Sequence, residues 1–283
     1  MMSRAANRRI ANTIFTVSCY FAAMIAVVAL ASLFVSLFWN GFSGLSLSTF
    51  TKDSQQGGLL NGILGSLAMC ALGMVFALII GILAGTWLAE YSGTSKLGQY
   101  VRFMNDVLLS APSILIGLAV YTYFYMVLKA AGYPQYTYSG IAGATALGLL
   151  AVPIVVRTTE DMLNLQPSAL REAGVALGAS RGLVIRQIIW RSARTGLLTG
   201  GLLAFARISG ETAPLLFTAL GNDAHITKLS DLGDKVSALP LLINSLYQLP
   251  DSVSLAWTAA LLISLAVLVV NIIGRVLAAR GAR

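Results

Sequence analysis

Residues 59–89 read LLNGILGSLAMCALGMVFALIIGILAGTWLA, with no charged side chain anywhere between Asp53 and Glu90. A helix rises 1.5 Å per residue, so this run outreaches the roughly 30 Å of hydrocarbon in a bilayer. Gly81 and Gly85 stand four apart within it, the spacing at which missing side chains let helix backbones approach closely in lipid. The stretch predicts a membrane-spanning helix packed on a neighbour.

The same pattern recurs on both sides of it. No charge lies between Arg9 and Lys52 or between Asp251 and Arg275, and the 283 residues are 57% hydrophobic and 11% charged. That is about half the charged fraction of an ordinary soluble domain, and it argues against a soluble fold. Apolar windows predict six spans, 14–38, 59–89, 107–128, 139–156, 196–220 and 255–274, within one domain over 1–283. The expected fold is an all-α polytopic membrane protein. Its first span follows Arg4, Arg8 and Arg9 and contains Ala29-Leu30-Ala31, which has the look of a signal-peptide cleavage site. The apolar run continues to Phe38, beyond a signal core of roughly 7 to 15 residues, so an uncleaved span is expected. Gly196, Gly200 and Ala204 mark further helix interfaces, and Cys19 and Cys70 read as core or lipid-facing residues.

Basic loops stay in the cytoplasm, and the charge asymmetry is large. Fourteen Lys and Arg fall on one side, among them Arg157, Arg171, Arg181, Arg186, Arg191 and Arg194, against Lys52, Lys129, Lys228 and Lys235 on the other. Both termini and the 157–195 segment are expected inside, with 39–58, 129–138 and 221–254 outside. Arg207 belongs to neither side.

The 157–195 segment is too long and polar for a simple turn. Pro167-Ser168 begins a predicted helix with Leu170, Ala173 and Leu177 on one face, Gly178 ends it with φ > 0, and Ser180 caps a second amphipathic helix. This helix-turn-helix resembles the EAA loop of ATP-binding-cassette (ABC) importer permeases, through Glu172-Ala173-Gly174, Gly178 and Ile188-Ile189-Trp190-Arg191. Gly174 stands where the family has a second Ala, and Trp190-Arg191 where it has Leu-Pro. The resemblance implies an ABC importer permease fold whose cytoplasmic coupling loop, with Glu172, Ala173, Gly174, Leu177, Gly178 and Ser180, seats on a separate ATPase subunit. Read from spacing alone, the arginines could equally bind anionic lipid headgroups.

The stretch Ala206-Arg207-Ile208-Ser209-Gly210-Glu211-Thr212-Ala213-Pro214 is similar to the phosphate-specific permeases of the PstA type, with support from Val152-Pro153-Ile154-Val155-Val156-Arg157, Ala89-Glu90-Tyr91 and Ala111-Pro112-Ser113. Physically, Arg207 and Glu211 fall inside a predicted span, where each charge costs roughly 2.5–3.5 kcal/mol to insert. At i and i+4 they share a helix face, and Pro214 is expected to free the Gly210 carbonyl and kink the helix. Two readings are open. Arg207 lines an oxyanion path with Glu211 holding it between anions, or the pair is closed and only fixes packing. Arg157 is a second candidate anion contact, with interface snorkelling as the alternative.

No Gly-x-x-x-x-Gly-Lys-Ser/Thr loop occurs, so no cofactor is expected in this chain, and ATP and Mg would be bound by a partner ATPase. The single His225 lies in a predicted outer loop and supplies no metal motif. As the resemblance implies, the partners are a second homologous permease subunit, two ATPase subunits and an extracytoplasmic phosphate-binding protein docked on 221–254; no nucleic acid is expected. The setting is the bacterial cytoplasmic membrane. Alternatives are a permease for sulfate or molybdate, or a non-transporting membrane scaffold.

Overall fold

The computed structural model describes residues 4–280, apart from the side chains of residues 4–7, 229 and 277–280. Of the basic residues counted above, Arg283 and the side chains of Arg4 and Arg280 lie outside the described set. The described chain is helical: α1 Arg4–Ser43, α2 Leu47–Thr51, α3 Leu60–Trp87, α4 Lys96–Ser110, α5 Ser113–Ala130, α6 Gly140–Asn164, α7 Ser168–Ala176, α8 Arg181–Val184, α9 Trp190–Ser209, α10 Ala213–Thr218, α11 Leu239–Tyr247 and α12 Val253–Arg280. π-helical turns at Leu88–Ser92 and Ile185–Ile189 extend α3 and join α8 to α9.

Glycines decide how the long helices pack. A Cβ on Gly81 would lie 2.6 Å from Val155 Cβ, and one on Gly85 would lie 2.6 Å from both Thr159 Cβ and the Val156 carbonyl. With Gly73 against the Ala144 carbonyl, these contacts run α3 and α6 side by side in parallel. The reverse order, Gly196 on Met162 and Gly200 on Thr158, sets α9 antiparallel to α6. Gly41 on Leu261 and Gly44 on Thr258 join α1 to α12, where Thr258 Oγ1 also donates to the Gly41 carbonyl at 2.9 Å. The small-residue spacings predicted from sequence are thus where the backbones meet. Met69, Ala77, Leu147, Ala151, Val155, Ala204 and Ile208 fill the core. Phe15, Phe21, Val28 and Leu33 stay exposed along α1, an outward apolar face suited to lipid. Cys70 is buried and Cys19 exposed.

Among the described residues, five helices are both long and apolar enough by composition to cross a membrane, within Arg8–Ser43, Leu60–Ser92, Ser113–Ala130, Pro134–Asn164 and Pro250–Val276. The expected sixth, 196–220, is corrected in its bounds and continuity: a 20-residue α9 runs from Trp190 to Ser209, about 30 Å and still long enough to cross, and α10 begins separately at Ala213. Two other boundaries change. The span expected at 107–128 begins at Ser113, because Ala111 and Pro112 adopt extended ψ angles of 134° and 128° and separate it from α4. The span expected at 139–156 runs on to Asn164, which makes Arg157 a helical residue and leaves the connecting loop far shorter than 157–195.

Candidate functional site

The break between α9 and α10 follows from its residues. Gly210 is a poor helix former, and Pro214 cannot donate to the Gly210 carbonyl as a continuous helix would require. Pro214 therefore does not kink a helix, as predicted; it sits in the first turn of α10, where no donor is needed. Nor are Arg207 and Glu211 mid-helix. Arg207 lies in the last turn of α9 and Glu211 in the break. Gly117 of α5 seats α10, since a Cβ there would come within 2.5 Å of Pro214 Cα.

The predicted pair does form: Arg207 Nη1 faces Glu211 Oε1. The partners differ sharply in environment, the Glu211 side chain being 8% exposed and that of Arg207 58%. The contact is close but lacks hydrogen-bond geometry, so Glu211 Oε1 has no hydrogen bond among the described residues. The site is a buried carboxylate neutralised by a guanidinium whose side chain is more than half exposed. Arg157 is not brought to it. The α6–α9 register sets Thr158 opposite Gly200, about two turns from Arg207, and Arg157 pairs with Asp161 at 3.3 Å on a half-exposed face.

At the other candidate region, α7 and α8 form the predicted helix-turn-helix. Gly178 turns the chain with φ +81°, a conformation that costs glycine nothing. Gly174 is buried, and a Cβ there would lie 2.7 Å from Val184 Cγ2 and 3.0 Å from Ile188 Cδ1. The departure from Glu-Ala-Ala is therefore dictated by the close seating of α7 on the following helix. The expected face of Leu170, Ala173 and Leu177 is corrected: Leu170 packs inward, whereas Leu177 is 88% exposed beside exposed Glu172 and Ala173. Ser180 occupies the N-cap position, but its side chain makes no capping bond. In place of Leu-Pro, Trp190 donates from Nε1 to Thr86 Oγ1 at 3.1 Å, and the π-helical turn leads straight into α9.

Arg171 and Arg181, read from sequence only as basic topology signals, and Arg102 of α4 have specific partners that their spacing did not reveal. Glu90, in the π-helical turn after α3, accepts from Arg171 Nη2 at 2.6 Å and Nε at 3.0 Å. The same guanidinium donates to the Leu163 and Gln166 carbonyls at the end of α6, both at 2.8 Å. Hydrogen bonding to Glu90 raises the Arg171 pKa still further above its ordinary value. Arg181 donates to the Glu90 carbonyl and lies 4.9 Å over the Tyr91 ring. Arg102 donates to Glu160 at 2.6 Å and to the Leu88 carbonyl at 3.0 Å. A groove of about 530 Å³ opens here, lined by Glu90, Arg171, Glu172 and Arg181 among others. The available signal was two acidic residues, Glu90 and Glu160, at the ends of apolar runs facing a basic loop.

The opposite end is tied across the chain. Asp53 bonds His225 Nδ1 at 2.9 Å, and Asn61 Nδ2 donates to the Asn222 carbonyl at 2.9 Å. Within the outer segment 221–254, α11 buries Leu239, Leu241, Leu242 and Leu246 against the rest of the chain. Asp231 accepts from the Lys228 and Thr227 amides, which lowers its carboxyl to about 2. A depressed folded pKa means this contribution is complete above the ordinary value of 3.8 and is lost as pH falls through about 2. Hydrogen exchange at Thr227 and Lys228 is expected to be unchanged between pH 5 and 8 after correction for intrinsic rates, and Asp231→Asn should accelerate it throughout that range.

A multi-pass helical membrane domain with a projecting helix-turn-helix at one end and a broken, charge-bearing helix inside is the architecture of an importer permease. Residues 77–282 match the family described as binding-protein-dependent transport system inner membrane component. The phosphate transport system permease protein PstA of Xylella fastidiosa (strain Temecula1) is 45% identical over 280 residues, covering 96% of this chain and 94% of that protein. PstA of Haemophilus influenzae is 44% identical over 275 residues, covering 95% and 94%. Among solved structures, an inward-facing MetNI methionine ABC transporter chain superposes with a TM-score of 0.64 at 20% identity, covering 80% of this chain and 96% of that one. A chain of a bacterial ABC transporter that imports the acidic polysaccharide alginate gives 0.68 at 13% identity, covering 96% and 99%. The chain belongs to the family of binding-protein-dependent transport system inner membrane components, in its PstA permease branch.

Proposed function

We propose that this chain is a permease subunit of an ATP-driven importer of inorganic phosphate, working by alternating access in the cytoplasmic membrane. The observation that carries the reading is the half-free guanidinium of Arg207 at the helix break, held by a buried Glu211, in a chain 45% identical to a phosphate permease. A guanidinium donates two parallel hydrogen bonds to an oxyanion, and non-helical backbone at membrane depth is tolerated where it lines a polar path. In this reading a second homologous permease supplies the other half of the path, two ATPase subunits bind ATP and Mg, and an extracytoplasmic phosphate-binding protein delivers cargo to the end bearing Asp223 and Asp231. Both termini and α7–α8 lie in the cytoplasm, consistent with the excess of Lys and Arg there. Uptake of labelled phosphate in cells lacking other phosphate transporters tests the cargo: competition by unlabelled phosphate but not by sulfate or molybdate is expected, and the converse would overturn it.

Coupling to the ATPase is assigned to the exposed face of α7 and its turn, Glu172, Ala173, Leu177 and Ser180, with Gly174 and Gly178 setting its shape. Burying one leucine contributes about 1.5–3 kcal/mol, so Leu177→Asp is expected to reduce co-purification of the ATPase at least about tenfold. Undiminished recovery would remove Leu177 from the interface.

A further inference from the structure

Three arginines from three separate helices converge on one short turn, Leu88–Ser92. Arg102 comes from α4, Arg171 from α7 and Arg181 from α8. The turn is π-helical, a break in the i→i+4 ladder of the kind that recurs at functional sites. Leu88 and Glu90 each give a carbonyl to an arginine, and the Glu90 carboxylate, only 3% exposed, takes a two-bond contact from Arg171. Arg171 also holds the Leu163 carbonyl of α6. One guanidinium therefore joins α7 to the ends of both α3 and α6, the two helices that pack in parallel through Gly73, Gly81 and Gly85.

We propose that the Glu90–Arg171 pair is a strut that carries displacement of the α7–α8 unit into α3 and α6, making Glu90 and Arg171 positioning residues for transport. The proposal rests on the coupling reading above. Anchorage alone would not need this chemistry, since well-packed apolar residues commonly hold an interface as firmly as a buried ion pair. A forked guanidinium on a carboxylate fixes angle as well as distance, which is what transmission of movement requires. The outward face of α7, with Glu172, Ala173 and Leu177, takes no part in the strut and stays free to meet a partner.

The test uses the full complex with its ATPase and binding protein in proteoliposomes, comparing Glu90→Gln, the apolar double variant Glu90→Leu/Arg171→Met and the exchange Glu90→Arg/Arg171→Glu. Glu90→Gln and the apolar pair are expected to retain the ATPase and hydrolyse ATP, while phosphate moved per ATP falls about tenfold, the size of one lost charged hydrogen bond. The exchange should recover part of that ratio. An unchanged ratio in Glu90→Gln, or loss of the ATPase from all three variants, would overturn the proposal. A second arm is independent of cargo: spin labels at Val175→Cys and Leu83→Cys should keep a constant separation through the nucleotide cycle and lose it in Glu90→Gln. A separation that already varies in the otherwise unaltered chain overturns the strut. Absence of phosphate uptake there, with the separation constant, overturns the cargo reading instead.

Discussion

Replacing Arg207 by Gln is expected to lower phosphate uptake by roughly 100-fold, since two charged hydrogen bonds to an oxyanion, each contributing about 1.5 kcal/mol or more, are removed. The single variant also strands Glu211, whose side chain is 8% exposed and whose charge partner is Arg207. Leaving a buried carboxylate without its partner costs about 1–3 kcal/mol or more, so the amount of subunit in the membrane must be measured alongside uptake. The decisive comparison is Arg207→Gln/Glu211→Gln. Neutralising both ends should restore the amount of folded subunit but leave uptake abolished if Arg207 meets the anion. If the pair serves only packing, the double variant should transport normally, and that result would sink the pathway assignment. Arg207→Lys keeps the charge without the planar fork and should fall between the two.

The second large effect is expected at Gly85. A Cβ there would lie 2.6 Å from the Val156 carbonyl and from Thr159 Cβ, one a backbone atom and the other on a stiff β-branched side chain. Neither can move without displacing α6. Gly85→Val is expected to cost about 3 kcal/mol or more by overpacking, which corresponds to a fall in the thermal midpoint in detergent on the order of 10 °C. Gly201 supplies the control. Its nearest neighbour would be Leu78 Cδ2 at 3.3 Å, the mobile end of a side chain, so Gly201→Ala should unfold near the parent temperature. Equal behaviour of the two variants would mean that the α3–α6 approach is looser than the structure has it.

Both predictions concern residues whose importance was visible in the sequence, though their geometry was not. A charge inside an apolar run is anomalous wherever it falls, so Arg207 and Glu211 were legible by composition alone. Their setting was not, because hydropathy averages over a window and cannot register a break of three residues between α9 and α10. The amphipathic α4 went unread for the same reason: its apolar residues alternate with Lys96, Arg102 and Asp106, which depress any windowed mean.

What the sequence determined by itself was the class of molecule, its apolar helices and the glycines at their contacts, since burial in lipid and close backbone approach each restrict residue type at every position. The helix-turn-helix followed too, from the turn at Gly178, although the face of α7 that packs inward did not. Only the tertiary structure decided which charges find one another. Glu90 meets Arg171, and Glu160 meets Arg102, across 81 and 58 residues of chain. Such pairings depend on how parallel helices bring their ends together, and that information resides in packing rather than in the spacing of residues along the chain.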